Sequence, residues 1–308
     1  MELINENELS EFIRELVTEA SSIVSPGKVQ ICKDNLPFDS DVQTVIEGNG
    51  DYTLHVKPES IKNEYIISHE ILHLCARKHV PSFIRVIEPN FAGLIGTELQ
   101  GYLEHNWILA EQKRRGLAVD EQGLYSDIEE TIGSDEEELE KNINRILTLN
   151  NLIHTHPAVY EEHQDFFMKN NPKSLEMAQR IMSHYPRQEL YSNYEARKAT
   201  IRAIKEWNNI FRENGITTVN LNILLSVIPV FSTAQLKRNA GVVLGLMPNA
   251  IINQKKRTAS HLLYTMNDGQ CCIIFSMDQN GLKSLKNYLD TMTLEEFLEL
   301  AQIPCLLR

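Results

Sequence analysis

The amino-acid sequence predicts an α+β protein: a mixed N-terminal region, a mostly helical middle region and a small α/β unit at the C-terminal end. The stretch Gly48-Asn49-Gly50-Asp51 separates two β-type runs, a pattern typical of a β-hairpin. From Ile143 to about Asn214, apolar residues recur at helical spacing and prolines divide the run into short helices. A second hairpin pattern surrounds Asn267-Asp268-Gly269. We therefore predict four segments, at residues 1–118, 119–142, 143–215 and 216–308.

Composition is that of an ordinary globular chain. Of 308 residues, 42% are hydrophobic and 23% are charged, which leaves room for two domains or more. The net charge of −12 gives no reason to expect direct binding of nucleic acid. The five cysteines are odd in number and lack metal-type spacing, so we expect reduced thiols and a cytoplasmic location. No secretory signal and no membrane segment are predicted.

One helix and three short strands are predicted before the segment that contains the candidate catalytic residues. An amphipathic helix runs to about Val24, where Ser25-Pro26-Gly27 stops it. Short strands are expected at residues 28–32, 42–47 and 52–57. If the last of these lies at the edge of a sheet, it can pair with an extended peptide through main-chain hydrogen bonds.

The next helix, predicted from about Glu59 to His79, contains the pattern His-Glu-x-x-His. Residues four apart lie on one face of a helix, so the imidazoles of His69 and His73 can share one ion, and two neutral imidazoles suit Zn²⁺. Glu70 lies beside them in the position of the general base of zinc hydrolases. The alternative is a pair of core histidines whose hydrogen bonds are satisfied without metal.

A catalytic zinc needs a third protein ligand, and the following helix, from about Asn90 to Gly116, offers three candidates. Glu98 lies at the border of the apolar stripe, where a carboxylate is costly unless it is paired or bound to metal. His105 shares its face two turns later and is an alternative ligand or a hydrogen-bonding partner of the site. Glu104 falls on what the pattern indicates is the solvated face. Tyr102 or His105 is a candidate to stabilise the oxyanion.

The pentad His69-Glu70-Ile71-Leu72-His73, the Gly50-Asp51-Tyr52 strand before it and Glu98-Leu99-Gln100-Gly101-Tyr102 after it resemble the ImmA/IrrE-type zinc metallopeptidases, a gluzincin-like family. The resemblance covers about the first 115 residues. It implies a zincin-like N-terminal domain in which zinc is bound by His69, His73 and Glu98, with Glu70 as the catalytic base. It also implies a protein substrate, with a helix-turn-helix transcriptional repressor as the natural candidate. The small residue and Asn that usually follow the family's third ligand are absent here.

The remaining two thirds of the chain carry weaker signals. Residues 120–140 are strongly acidic, as expected of a solvated linker or exposed helix face. His154, His156 and His163 are expected to be surface or capping residues. Lys198, Arg202 and Lys205 form a basic helix face, either solvated or a surface for an acidic partner or nucleic acid. The basic run Gln254-Lys255-Lys256-Arg257 is too short to indicate more than a loop.

Together these patterns predict a cytoplasmic zinc metallopeptidase that cleaves a specific protein partner. The alternative is a zinc-holding sensor or regulatory interaction protein whose site does not turn over. The bond that is cut, the activating signal, the role of residues 119–308 and the oligomeric state are left open by the sequence.

Overall fold

The structure, a computed structural model, describes residues 2–36, 41–81, 84–86, 91–117, 121–185, 192–253 and 258–308. It confirms the predicted α+β class, because α-helices predominate and the strands form small sheets. Up to residue 131 the elements are β1 (Glu2–Leu3), α1 (Glu11–Val24), β2 (Val29–Lys33), β3 (Val42–Ile46), β4 (Tyr52–Val56), α2 (Glu64–Ala76), β5 (Ile84–Val86), α3 (Phe91–Arg114) and α4 (Glu121–Thr131).

From residue 139 the chain is helical first and mixed afterwards. The elements are α5 (Leu139–Thr155), α6 (Pro157–Glu162), α7 (Gln164–Asn170), α8 (Pro172–Met182), α9 (Asn193–Glu213), α10 (Leu221–Leu224), β6 (Leu225–Val227), β7 (Val230–Phe231), α11 (Thr233–Leu236), α12 (Ala240–Val243), β8 (Leu244–Asn253), β9 (Thr258–Thr265), β10 (Cys271–Phe275), α13 (Gln279–Thr291), α14 (Leu294–Leu300) and β11 (Leu306–Leu307).

The chain divides into two compact units. The first comprises Met1–Pro81 and Glu104–Ser126, and the second comprises Ser82–Leu103 and Asp127–Arg308. Helix α3 therefore contributes its first half to the second unit and its second half to the first. The predicted boundaries near residues 118, 142 and 215 stay a prediction.

The first unit is a four-stranded sheet covered by helices. The strand order is β1-β2-β4-β3, with β2 and β4 parallel and β3 antiparallel to β4. The predicted hairpin between β3 and β4 is thus confirmed. Pairing of β4 with a peptide would require this strand to lie at an edge of the sheet, but β2 and β3 flank it on both sides. Among the described strands of this sheet, β1 and β3 lie at the two edges.

Helix α1 follows from its sequence pattern. Ser10 caps its N-terminus by accepting a hydrogen bond from the Ile13 amide at 3.3 Å. Ile13, Leu16 and Ala20 recur at helical spacing and are buried in the core of the unit. After the helix, the chain passes close to the hairpin, where a Cβ at Gly27 would lie 2.2 Å from the Gly50 carbonyl oxygen. Only glycine fits at position 27 without a shift of the backbone.

Helix α2 is shorter than predicted and begins at Glu64, because residues Pro58–Ser60 form a separate 3₁₀ turn. The Asn63 side chain caps it by accepting from the Ile66 amide at 3.3 Å. One side of α2 packs into the core of the first unit. The buried residues of this helix are Ile67, Ser68, Ile71, Leu72, Leu74, Cys75 and Ala76. The pentad histidines project from the opposite side of this packed helix.

The second unit combines the helices of the middle region with a three-stranded antiparallel sheet in the order β10-β9-β8. The predicted hairpin around residues 267–269 is confirmed as β9 and β10. Arg197 on α9 is buried and pairs with Asp268 in that turn. The Arg197 Nε also donates to the Ile228 carbonyl at 3.1 Å, so one side chain ties α9 to the turn and to the segment before β7.

Several expectations change in the structure. His154 was expected at the surface, but it is buried, and its Nε2 lies 2.9 Å from the Tyr102 carbonyl oxygen.

The five cysteines are free, as predicted. The basic run at residues 254–257 lies outside the described residues, as do residues 87–90, where the third helix was expected to begin. Among the described residues, no helix is both long and apolar enough to cross a membrane.

Candidate metal centre

The candidate centre lies in the first unit, where α2 meets the second half of α3. His69 and His73 are one turn apart on α2, and their ring centroids are 5.1 Å apart. His105 on α3 completes a triangle, with its ring centroid 5.0 Å from that of His69 and 5.1 Å from that of His73. One nitrogen of each ring lies within 4.8 Å of the others, so the three histidines are close enough to hold a metal ion.

The distance between the nitrogens of His69 and His105 fits a tetrahedral ion. The Nε2 atoms of His69 and His105 are 3.3 Å apart. Two nitrogen ligands at about 2.05 Å from a tetrahedral Zn²⁺ are separated by about 3.3 Å. Imidazole is also a ligand that zinc accepts readily, so both the donor set and the spacing are compatible with zinc.

Gln112 sets the tautomer of His69. Its Nε2 donates to the Tyr65 carbonyl at 2.9 Å and to Ser68 Oγ at 3.2 Å, and Ser68 Oγ donates in turn to Tyr65. These contacts leave the Gln112 Oε1 as an acceptor, 3.4 Å from His69 Nδ1. A proton on His69 Nδ1 satisfies this contact and leaves the lone pair of the ring on Nε2, the nitrogen that lies 3.3 Å from His105 Nε2.

Glu104 does the same for His73. A carboxylate oxygen of Glu104 lies 2.7 Å from His73 Nδ1. A carboxylate only accepts, so a proton on His73 Nδ1 satisfies this contact, and the lone pair of the ring then lies on Nε2. Carboxylate and carbonyl partners of this kind orient metal-binding histidines and raise their basicity. The expectation that Glu104 is a solvated surface acid is wrong, because its side chain is only 16% exposed.

Glu70 lies next to the histidines, with a contact to the sheet. Its carboxylate accepts a hydrogen bond from Thr44 Oγ1 of β3 at 3.5 Å. Burial raises the pKa of Glu70 above its ordinary value, and the nearby His73 and the Thr44 hydroxyl partly oppose this shift. A carboxyl group with a raised pKa is better suited to take up a proton near neutral pH.

The predicted third ligand, Glu98, is not one of the three residues that lie close enough to share an ion, which are His69, His73 and His105. It lies seven residues before His105 on α3, a separation of about 10 Å along a helix, so the two side chains cannot bind one ion together. His105, the alternative ligand, takes the third position in the group. The role of Glu98 as a ligand stays a prediction.

Tyr102 is placed in the core of the second unit. Its side chain is fully buried and packs against His154 and Tyr185, with ring centroids 5.4 and 5.6 Å away. Burial, with a smaller contribution from Glu98, raises its pKa well above the ordinary value. A hydroxyl with no exposed surface cannot reach a substrate carbonyl, so the structure does not support the predicted oxyanion role of Tyr102.

Sequence reasoning missed two partners of the site, Gln112 and Thr44. Gln112 could have been found, because it follows His105 by seven residues and therefore shares its helix face. Thr44 carries no such signal, since its neighbour in space is 26 residues away in the chain. Comparison of the chain with protein family models, with curated proteins and with solved structures gives no match in any of the three.

Proposed function

We propose that the protein is a zinc-dependent metallopeptidase that hydrolyses peptide bonds of a protein partner. The observation that carries this proposal is the convergence of His69, His73 and His105, with the outer nitrogens of the first two held by Gln112 and Glu104. Three nitrogen ligands leave one corner of a tetrahedral ion open, which is the arrangement of catalytic rather than structural zinc. The exposure of the site agrees with this, since His69 and His73 are only partly buried.

Zinc, when bound, supplies a Lewis acid that polarises the scissile carbonyl and makes water acidic enough to attack near neutral pH. The chain's own contribution to proton transfer is Glu70. Its carboxylate takes the proton of the attacking water and delivers it to the amine that leaves. The Thr44 hydroxyl lies 3.5 Å from that carboxylate and is its donor in a long hydrogen bond.

The sheet edge beside the site suits an extended peptide. Strand β3 lies at the edge of the described sheet, and Thr44 on this strand contacts Glu70. Ile46 at the end of β3 is 62% exposed. A substrate strand that pairs with β3 would therefore run close to the general base.

The identity of the partner rests on the resemblance of the pentad segment alone. We propose a helix-turn-helix transcriptional repressor, which the resemblance to ImmA/IrrE-type peptidases implies. The natural first choice for the assay is a small repressor from a neighbouring reading frame.

The test compares two changes on the same helix. Glu70→Gln removes the proton acceptor and keeps the histidines, whereas Glu64→Gln makes the same change of charge in the first turn of α2. The zinc-loaded full chain is incubated with the candidate repressor and, separately, with a peptide mixture, and new N-termini are identified by mass spectrometry. We expect Glu70→Gln to retain zinc and to lose hydrolysis by at least a hundredfold, and Glu64→Gln to keep both. His69→Ala is expected to lose both zinc and hydrolysis.

Hydrolysis by Glu70→Gln at the original rate would end the peptidase proposal. The alternative is a zinc-holding sensor whose site does not turn over, and for it we expect stoichiometric zinc without cleavage of any peptide.

A further inference from the structure

A pocket of about 260 Å³ lies in the second unit, outside the candidate metal centre. Helix α9 forms one wall, and β7, the end of β9 and the turn that follows it contribute to the others. Four of its lining side chains are cationic and are not engaged with the turn: Lys198, Arg202, Lys205 and Arg308. In a chain with a net charge of −12, such a concentration of positive charge does not follow from composition.

The cations on α9 are held on one side of the helix by their spacing. Lys198, Arg202 and Lys205 are four and three residues apart, which places them in successive turns on one face. Within the described part of the chain, these three make no ion pair, and Arg308 stacks on the Tyr194 ring, with its guanidinium carbon 4.4 Å from the ring centroid. Like charges that share a pocket repel one another, so an anion bound there relieves the repulsion.

The carboxylate that lines the pocket does not neutralise these cations. Asp268 pairs with Arg197 and also accepts hydrogen bonds from the Thr265 hydroxyl and, at 3.0 Å, from the Gln270 amide. Arg197 in turn is committed to Asp268, Thr265 and the Ile228 carbonyl. The pair is therefore a neutral structural element, and the positive charge of the other four side chains is left for a ligand.

The remaining lining is apolar. Ile201, Val230, Phe231 and Val243 are buried side chains that reach the pocket. An apolar floor below cationic side chains fits a molecule with an anionic group at one end and an apolar or aromatic group at the other. The volume is that of a small molecule and not of a polymer.

We propose that this pocket binds the phosphate monoester of a small organic molecule. A phosphate monoester carries a charge of about −1.5 to −2 at neutral pH and three strong acceptor oxygens, so it can satisfy several cations at once, whereas a carboxylate offers one charge. Lysine and arginine are the side chains that most often bind phosphate. The cations line a concavity, so a small ligand fits better than a nucleic acid strand.

The test is calorimetric titration of the full chain with AMP and phenyl phosphate, with adenosine and inorganic phosphate as comparison ligands. We expect at least one of the two monoesters to bind tenfold or more tightly than adenosine and inorganic phosphate. Lys198→Ala combined with Lys205→Ala is expected to weaken its binding at least tenfold. The matched control, Lys283→Ala combined with Lys286→Ala, removes two exposed lysines from α13 and is expected to change binding less than twofold.

Four results would overturn the proposal. The first is no binding of either monoester at millimolar concentration, and the second is inorganic phosphate binding as tightly as the better monoester. The third is equal weakening in the pocket variant and the control, which would indicate general attraction between charges. The fourth is tighter binding of a single-stranded oligonucleotide than of AMP, which would indicate a nucleic acid surface in place of a small-molecule pocket. Circular dichroism of both double variants checks that they are folded.

Discussion

The third ligand of the proposed zinc site can be decided by comparing His105→Ala with Glu98→Gln. Structural zinc in small peptides is held with an apparent free energy of about 10–16 kcal/mol by four ligands, or about 2.5–4 kcal/mol per ligand. Loss of one of three histidines should therefore weaken zinc binding by about 10²–10³-fold. If His69, His73 and His105 bind the zinc, His105→Ala loses this much zinc affinity, and Glu98→Gln changes the zinc affinity less than about threefold.

The assay is competition for zinc between each purified variant and a chromophoric chelator at fixed pH and ionic strength. Zinc per chain, measured by mass spectrometry after dialysis, provides an independent readout. Thermal unfolding without zinc checks that both variants are folded, since His105 is buried. The reasoning is refuted if Glu98→Gln loses as much affinity as His105→Ala, or if His105→Ala binds zinc as the unchanged chain does.

Two further predictions follow from buried polar groups. Gln112→Met keeps the volume but removes the acceptor that orients the first histidine of the pentad, so zinc affinity should fall about 10–100-fold in the same competition assay. Arg197→Met leaves the Asp268 carboxylate buried without its partner and should lower the free energy of unfolding by about 3–5 kcal/mol at pH 7, measured by urea denaturation. Burial alone would raise the pKa of Asp268, but the hydrogen bonds and charge of Arg197 outweigh it and lower the pKa. The stabilisation by the ion pair is therefore present above the ordinary pKa of Asp268 and is lost as the pH falls through its lower value in the folded chain. The difference in the free energy of unfolding between the unchanged chain and Arg197→Met should therefore narrow below about pH 4.

The pair His69 and His73 could be predicted because both lie on one helix, where a spacing of four residues decides which side chains share a face. The hairpin before them could be predicted because its turn sequence imposes a local conformation. Glu104 could not be placed in this way. Its position on α3 indicates only that it lies outside the apolar stripe, and the pattern does not reveal that the imidazole of His73, on another helix, lies opposite.

The basic face of α9 illustrates the same limit. The spacing of Lys198, Arg202 and Lys205 predicts a basic face, but an exposed helix face and a pocket wall have the same periodicity. What distinguishes them is the presence of β7 and the turn after β9, which approach α9 from segments about 30 and 70 residues further along the chain. Long-range packing of this kind leaves no local signal.

The choice between His105 and Glu98 depends on the register of α3 against α2, and α3 itself favours one register. Moving α3 by seven residues would bring Glu98 to the pentad, but Gly101 would then replace Ile108, which is fully buried in the core of the first unit. Loss of a buried isoleucine costs about 2–5 kcal/mol. The same shift would remove the Gln112 amide from the Tyr65 carbonyl and Ser68.

Because the helix cannot slide cheaply, a ligand placed at position 98 should not compensate for one lost at position 105. We expect Glu98→His combined with His105→Ala to bind zinc as weakly as His105→Ala alone in the chelator competition. Recovery of zinc affinity in the combined variant would mean that α3 moves by two turns at little cost. In that case burial of Ile108 and the hydrogen bonds of Gln112 would not fix the register of the site.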